Sequence, residues 1–297
     1  MKALLPLLAC TATLSAQQLV PAYVIDDGDG QRAWIEAASE TSITYRRDAK
    51  SLNRIQARTV STEVFFFQPP EFKRALNLFK NRDYTAARTA FAEAKTKYKM
   101  VDDISGNYST LAGFYELECA RKLGDYEGLE KLLEKFQPAP LVREYQKTQL
   151  KIYPLYNALR NESWDRLKIL CDEYTDRNLP GALRAQIEYC LGKALQGLNQ
   201  PFEALIAFNK SCIADYTASE IITKNAALAS LKIYSELPEV ILAKKLHGTP
   251  EENPNSTGAL LLTEAAGLVT MWDKALGNGT ALPDEYKAFA KYKKEGA

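Results

Sequence analysis

Aspartates and glycines crowd one short stretch, Ile25-Asp26-Asp27-Gly28-Asp29-Gly30, and two kinds of chemistry use residues in that arrangement. The first is calcium binding: Asp27, Asp29, Gly30 and Glu36 fall on the third, fifth, sixth and twelfth places of a calcium-loop pattern. Its first place holds Ile25, which has no oxygen to offer. The second is dinucleotide binding, through Gly28-x-Gly30-x-x-Ala33. That fingerprint must open a helix, whereas Trp34-Ile35 is followed by strand-forming residues, and Asp26, Asp27 and Asp29 would repel a pyrophosphate. A turn between two strands accounts for the stretch better than either chemistry.

Other catalytic signatures are missing from the sequence: there is no P-loop, no G-x-S-x-G and no C-x-x-C. The single histidine, His247, excludes any mechanism that needs two imidazoles in one chain, and beside Lys244 and Lys245 it reads as a solvated loop residue. No cofactor and no metal is expected. Cys119, Cys171, Cys190 and Cys212 all sit in helical patterns and read as buried thiols, since free cysteine packs as a small hydrophobe. One alternative stays open. Cys190 precedes the turn at Asn199–Pro201 and Cys212 follows it by a similar interval, so antiparallel helices would bring the two level for a disulfide.

The elements that must position these residues fall into two kinds. Residues 20–67 hold Ala22-Tyr-Val-Ile, Ala33-Trp-Ile-Glu, Ser42-Ile-Thr-Tyr and Val64-Phe-Phe-Phe, short β-branched and aromatic runs separated by turn formers, which read as strands. A module this small buries little surface alone and needs a neighbour. With Val64 and Phe66 facing inward, Phe65 and Phe67 point outward as candidates to dock on the first helices. Gln68-Pro69-Pro70 then marks a boundary, because the residue before each proline is pushed out of helical geometry. Helix pairs follow: 72–80 with 84–98, 108–123 with 126–136, 142–159 with 164–174, and 182–198 with 202–213, then a single helix over 219–237. Pro154 predicts a kink or break in the third pair, where it deletes a hydrogen bond. Residues 249–256 read as a loop, and helices over 258–275 and 283–294 would close the array.

Asp83-Tyr84, Asp125-Tyr126, Ser163-Trp164 and Pro201-Phe202 each end a polar turn and open an amphipathic helix, at separations of 42, 38 and 38 residues. That near-period argues for a solenoid. Leu191-Gly192, Ala204, Phe208 and the small Ser211 resemble the tetratricopeptide repeat, whose consensus carries Leu-Gly, Ala, Phe and a small residue at these offsets. The β module resembles small SH3-like or Sm-like barrels in pattern alone. The fold class expected is mainly α: a tetratricopeptide-like α-solenoid over residues 69–297, preceded by a β module over 17–68.

Composition bounds the function. At 46% hydrophobic residues the chain buries a core, and 38 Lys plus Arg against 37 Asp plus Glu leave no field to recruit nucleic acid or an anionic membrane. Met1 to Gln18 carries one lysine, an apolar run and a small-residue ending at Ala16, the pattern of a secretory signal spanning residues 1–16. The expected location is periplasmic or secreted; the alternative is lipid anchoring through Cys10, whose Leu7-Leu8-Ala9-Cys10 context resembles a lipobox. No later run reaches the ~20 apolar residues of a membrane helix. The resemblance implies a non-catalytic scaffold holding a protein or peptide partner. Alternatives are a structural subunit of an envelope assembly and a hydrolase using paired carboxylates on glycans. In the family's register Gln186, Tyr189 and Lys193 look into the groove, and one 38-residue step back gives Thr148, Lys151 and Leu155. Two lysines and no carboxylate among these six imply a mildly basic groove for an acidic segment or a terminal carboxylate.

Overall fold

A computed structural model describes residues 19–174, 177–215 and 220–293, so the expected signal and Cys10 lie outside the described residues. The chain forms two compact units, residues 1–119 with 135–143, and 120–134 with 144–297. No described helix is long and apolar enough to cross a membrane.

The first unit opens on five strands: β1 (Val20–Asp26), β2 (Asp29–Ala38), β3 (Ser42–Arg46), β4 (Ile55–Arg58) and β5 (Thr62–Phe66). They form one antiparallel sheet in the order β4-β3-β2-β1-β5. The strand at 55–58 escapes sequence reading because Ile55-Gln-Ala-Arg is short and half polar. Between β1 and β2, Asp27 and Gly28 both take positive φ, 48° and 88°, which is the two-residue hairpin turn that Asp-Gly favours. The acidic stretch is therefore a turn. Glu36 is no calcium ligand: it is buried and accepts hydrogen bonds from Arg46 and Arg54, and these bonds, that of Arg46 first, hold its carboxyl below the usual range against the opposing effect of burial.

Alternation puts Val20, Ala22, Val24, Ala33, Ile35, Ile43 and Tyr45 on one buried face. Tyr98, Val101 and Ile104 complete that core. The neighbour the module needs thus arrives on its inner face. Phe65 and Phe67 point outward as expected, but they stay 54% and 45% exposed instead of docking on helices, with Arg32 over the Phe67 ring.

Twelve helices follow among the described residues: α1 (Pro70–Lys80), α2 (Tyr84–Lys97), α3 (Tyr108–Leu123), α4 (Tyr126–Leu133), α5 (Glu144–Arg160), α6 (Trp164–Asp172), α7 (Gly181–Gly197), α8 (Pro201–Ala214), α9 (Glu220–Glu236), α10 (Pro238–Leu246), α11 (Thr257–Met271) and α12 (Asp284–Lys287). In the first unit α1 packs on α2 around Phe72 and Phe91. In the second, each helix from α4 to α11 packs on the next, and α5 on α7, α7 on α9, α9 on α11. That neighbour pattern is repeat-like.

One turn geometry recurs. Arg82, Gly124, Glu162 and Asn199 all have φ between 51° and 72°. The next residue, Asp83, Asp125, Ser163 or Gln200, donates its N–H five residues back, to Leu78, Ala120, Ala158 or Leu195. Ala87, Leu129, Leu167 and Ala204 then fill the same buried place one turn into the following helix. This alignment makes Pro201, not Phe202, the counterpart of Tyr84, Tyr126 and Trp164, so the last period is 37 residues and not 38. Gly192 sits where expected: a Cβ added there would lie 2.6 Å from the Phe208 ring of α8.

One helix expectation needs correction and one helix went unread. α5 runs unbroken through Pro154, whose exposed ring leaves the packed side undisturbed. Residues 238–246, to which the sequence reading assigns no element, are helix α10, for which Pro238 supplies the first turn and buried Val240 the anchor.

Candidate functional site

Between the C-terminal half of α7 and the middle of α9 opens a cleft of about 490 Å³. Trp164, the first residue of α6, supports one wall, its indole lying against Gly197 of α7, where a Cβ would run into the ring. Leu228 and Ala229 of α9 form the facing wall, and Tyr286 of α12 borders it. Burial pushes the Tyr286 hydroxyl up to about 12, with the neighbouring Glu285 adding to the shift, so the phenol stays neutral.

Two lysines line this space, Lys193 from α7 and Lys232 from α9. Lys193 Nζ donates to Gln196 Oε1 at 3.2 Å, and among the described residues no carboxylate stands within ion-pair distance of it. Lys232 meets only Glu236, at 4.0 Å, with both side chains more than half exposed, an interaction worth little. Burial lowers the Lys193 pKa, and the Lys232 charge lowers it further. Two like charges between apolar and aromatic walls make a place for an anion, because a carboxylate would relieve both the desolvation and the mutual repulsion.

The other residues expected at a groove go elsewhere. Gln186 and Tyr189 are buried, as is Leu155. Gln186 pairs its amide with Gln149, donating at 3.0 Å and accepting at 2.9 Å, and accepts from the Tyr156 hydroxyl at 2.9 Å. Thr148 turns its hydroxyl back onto the Glu144 carbonyl, and Lys151 is exposed while its carbonyl accepts from Tyr174. Gln186 and Tyr189 lie on the packed side of α7 itself, and the carried-back positions are also shifted by the 37-residue period. Gln149, not Thr148, is the counterpart of Gln186, and one residue of slip turns a helix by about 100°. Only Lys193 of the six reaches the cleft. Trp164, Lys232 and Tyr286 come from three further elements, and Trp164 announced itself only as a helix opener.

All four described cysteines are free and buried, as their helical patterns led one to expect, and the alternative pairing of Cys190 with Cys212 is absent. Cys212 donates its thiol to the Thr223 carbonyl of α9, whereas Cys190 has Cys171 of α6 among its near neighbours. The two face opposite sides of the α7–α8 pair. Burial pushes the Cys171 and Cys212 thiols up to about 12, which leaves them unreactive. His247 is not simply solvated, for Nδ1 lies 2.9 Å from Glu252 and the ring meets Tyr292 edge-on at 5.0 Å. Among the described residues no group of three or more His, Cys, Asp or Glu could hold a metal ion. No family model, no curated protein and no solved structure matches this chain.

Proposed function

We propose that this protein is an exported, non-catalytic scaffold, built as a tetratricopeptide-like α-solenoid with an SH3-like module before it, that captures an acidic protein segment. The observation that carries the reading is the pair Lys193, which has no carboxylate within ion-pair distance among the described residues, and Lys232, which meets only Glu236 at 4.0 Å, in a cleft walled by Trp164 and Leu228. An extended acidic segment would set carboxylates on the lysines and lay apolar stems against the walls. The repeated turn, the Gly192–Phe208 contact and the Ser211 hydroxyl donating to the Ala185 carbonyl at 2.7 Å support the repeat reading. The strand order β4-β3-β2-β1-β5, with a 3₁₀ turn at Thr59–Ser61 before β5, supports the module. Selection of a displayed random-peptide library on the full chain tests the capture. Enrichment of Asp- and Glu-rich peptides on the native chain, and its loss on Lys193→Glu with Lys232→Glu at unchanged Tm, is the expected result; equal enrichment on both refutes it.

A further inference from the structure

α7 presents a second face about half a turn away, where Arg184, Ile187, Glu188 and Leu191 follow one another at helical spacing and line a cavity of about 640 Å³ with Lys210 and Ile213 of α8. Glu188 Oε2 is buried there and has no hydrogen-bond partner. A buried carboxylate oxygen without a donor is costly, and native proteins keep such a group only where something else satisfies it. Burial raises the Glu188 pKa, while Lys210 and Arg184 pull it back. Neither cation comes within ion-pair distance of it.

Three cations border the same cavity and are themselves left without a carboxylate among the described residues. Arg177 lies over the Tyr174 ring at 5.0 Å, Arg184 donates to the Leu179 carbonyl at 3.2 Å, and Lys210 is exposed. Ile187, Leu191 and Ile213 line the same cavity, the last 73% exposed. The cavity thus offers an acceptor, a set of donors and an apolar wall at once.

The geometry points to a binding site for a zwitterion of the amino-acid or dipeptide class with an apolar side chain. Its ammonium would donate to Glu188, its carboxylate would take Arg177, Arg184 or Lys210, and its side chain would cover Ile187, Leu191 and Ile213. This site is separate from the Lys193 cleft, so either stands if the other fails.

Titration calorimetry of the full chain with L-leucine and L-leucyl-L-leucine tests it. At least one should bind saturably, and its N-acetylated and amidated forms should each bind at least about tenfold more weakly, since the first leaves the buried Glu188 oxygen without its donor and the second leaves the cations without their carboxylate. Glu188→Gln should lose binding by a similar factor while raising Tm, a combination a merely structural glutamate would not give. Lys193→Glu should leave this binding unchanged. Binding of neither probe, or equal binding of the N-acetylated form, would overturn the assignment.

Discussion

Gly192 and Lys193 are neighbours on α7, one serving the packing between helices and the other the cleft. The Phe208 ring occupies the space a side chain at 192 would need, so Gly192→Leu should cost about 1–3 kcal/mol, read as a lower denaturant midpoint. An unchanged midpoint would mean that α8 does not pack there. Gln149 and Gln186 pose the opposite problem, a buried polar pair that is tolerable because every partner is present. Gln186→Leu alone strands the Gln149 amide and should cost about 1–3 kcal/mol. Adding Gln149→Leu should restore much of the loss, and a double-mutant cycle in which the two costs simply add would refute the coupling.

At the scale of elements, the inter-helix turn is the feature the sequence carried best and in one place misplaced. Polar residues before Tyr84, Tyr126 and Trp164 marked it correctly, because Asp83 and Asp125 cap the following helix, accepting from the Ala86 and Gly128 N–H groups. Before α8 the signal failed, since Pro201 starts a helix without a polar side chain and the eye passes on to Phe202. One residue of error then moved Thr148, Lys151 and Leu155 off the face they were meant to share. α10 was hidden for a related reason: its Lys244-Lys245 end looks solvated, yet Lys244 Nζ sits over the Phe289 ring at 3.8 Å. The turn also makes a prediction. Glu162 bears a left-handed φ of 51° that costs a side-chain-bearing residue about 1 kcal/mol, whereas Gly124 meets the same demand freely. Glu162→Gly should raise stability by up to about 1 kcal/mol and Gly124→Val should lower it, as followed by urea unfolding; shifts of the same sign would contradict the shared geometry.

Over the whole molecule, charge is nearly balanced at +1, so attraction for an acidic partner must come from local placement and not from a general field. No sequence pattern could have drawn the cleft, because its walls come from α6, α7, α9 and α12 and meet only after folding. The Lys193 site carries a stability cost with a definite sign. Its folded pKa is depressed below the usual lysine value of 10.5, so the charged form is disfavoured by folding throughout the neutral range, and the penalty lifts only as pH climbs through the depressed pKa. Lys193→Met should therefore melt higher than the native chain at pH 7. The decisive measurement sets that gain against function, using fluorescence anisotropy with an acidic peptide taken from the library selection. Lys193→Met is predicted to bind that peptide at least about tenfold more weakly while melting at a higher temperature. Native affinity in this variant would contradict the account.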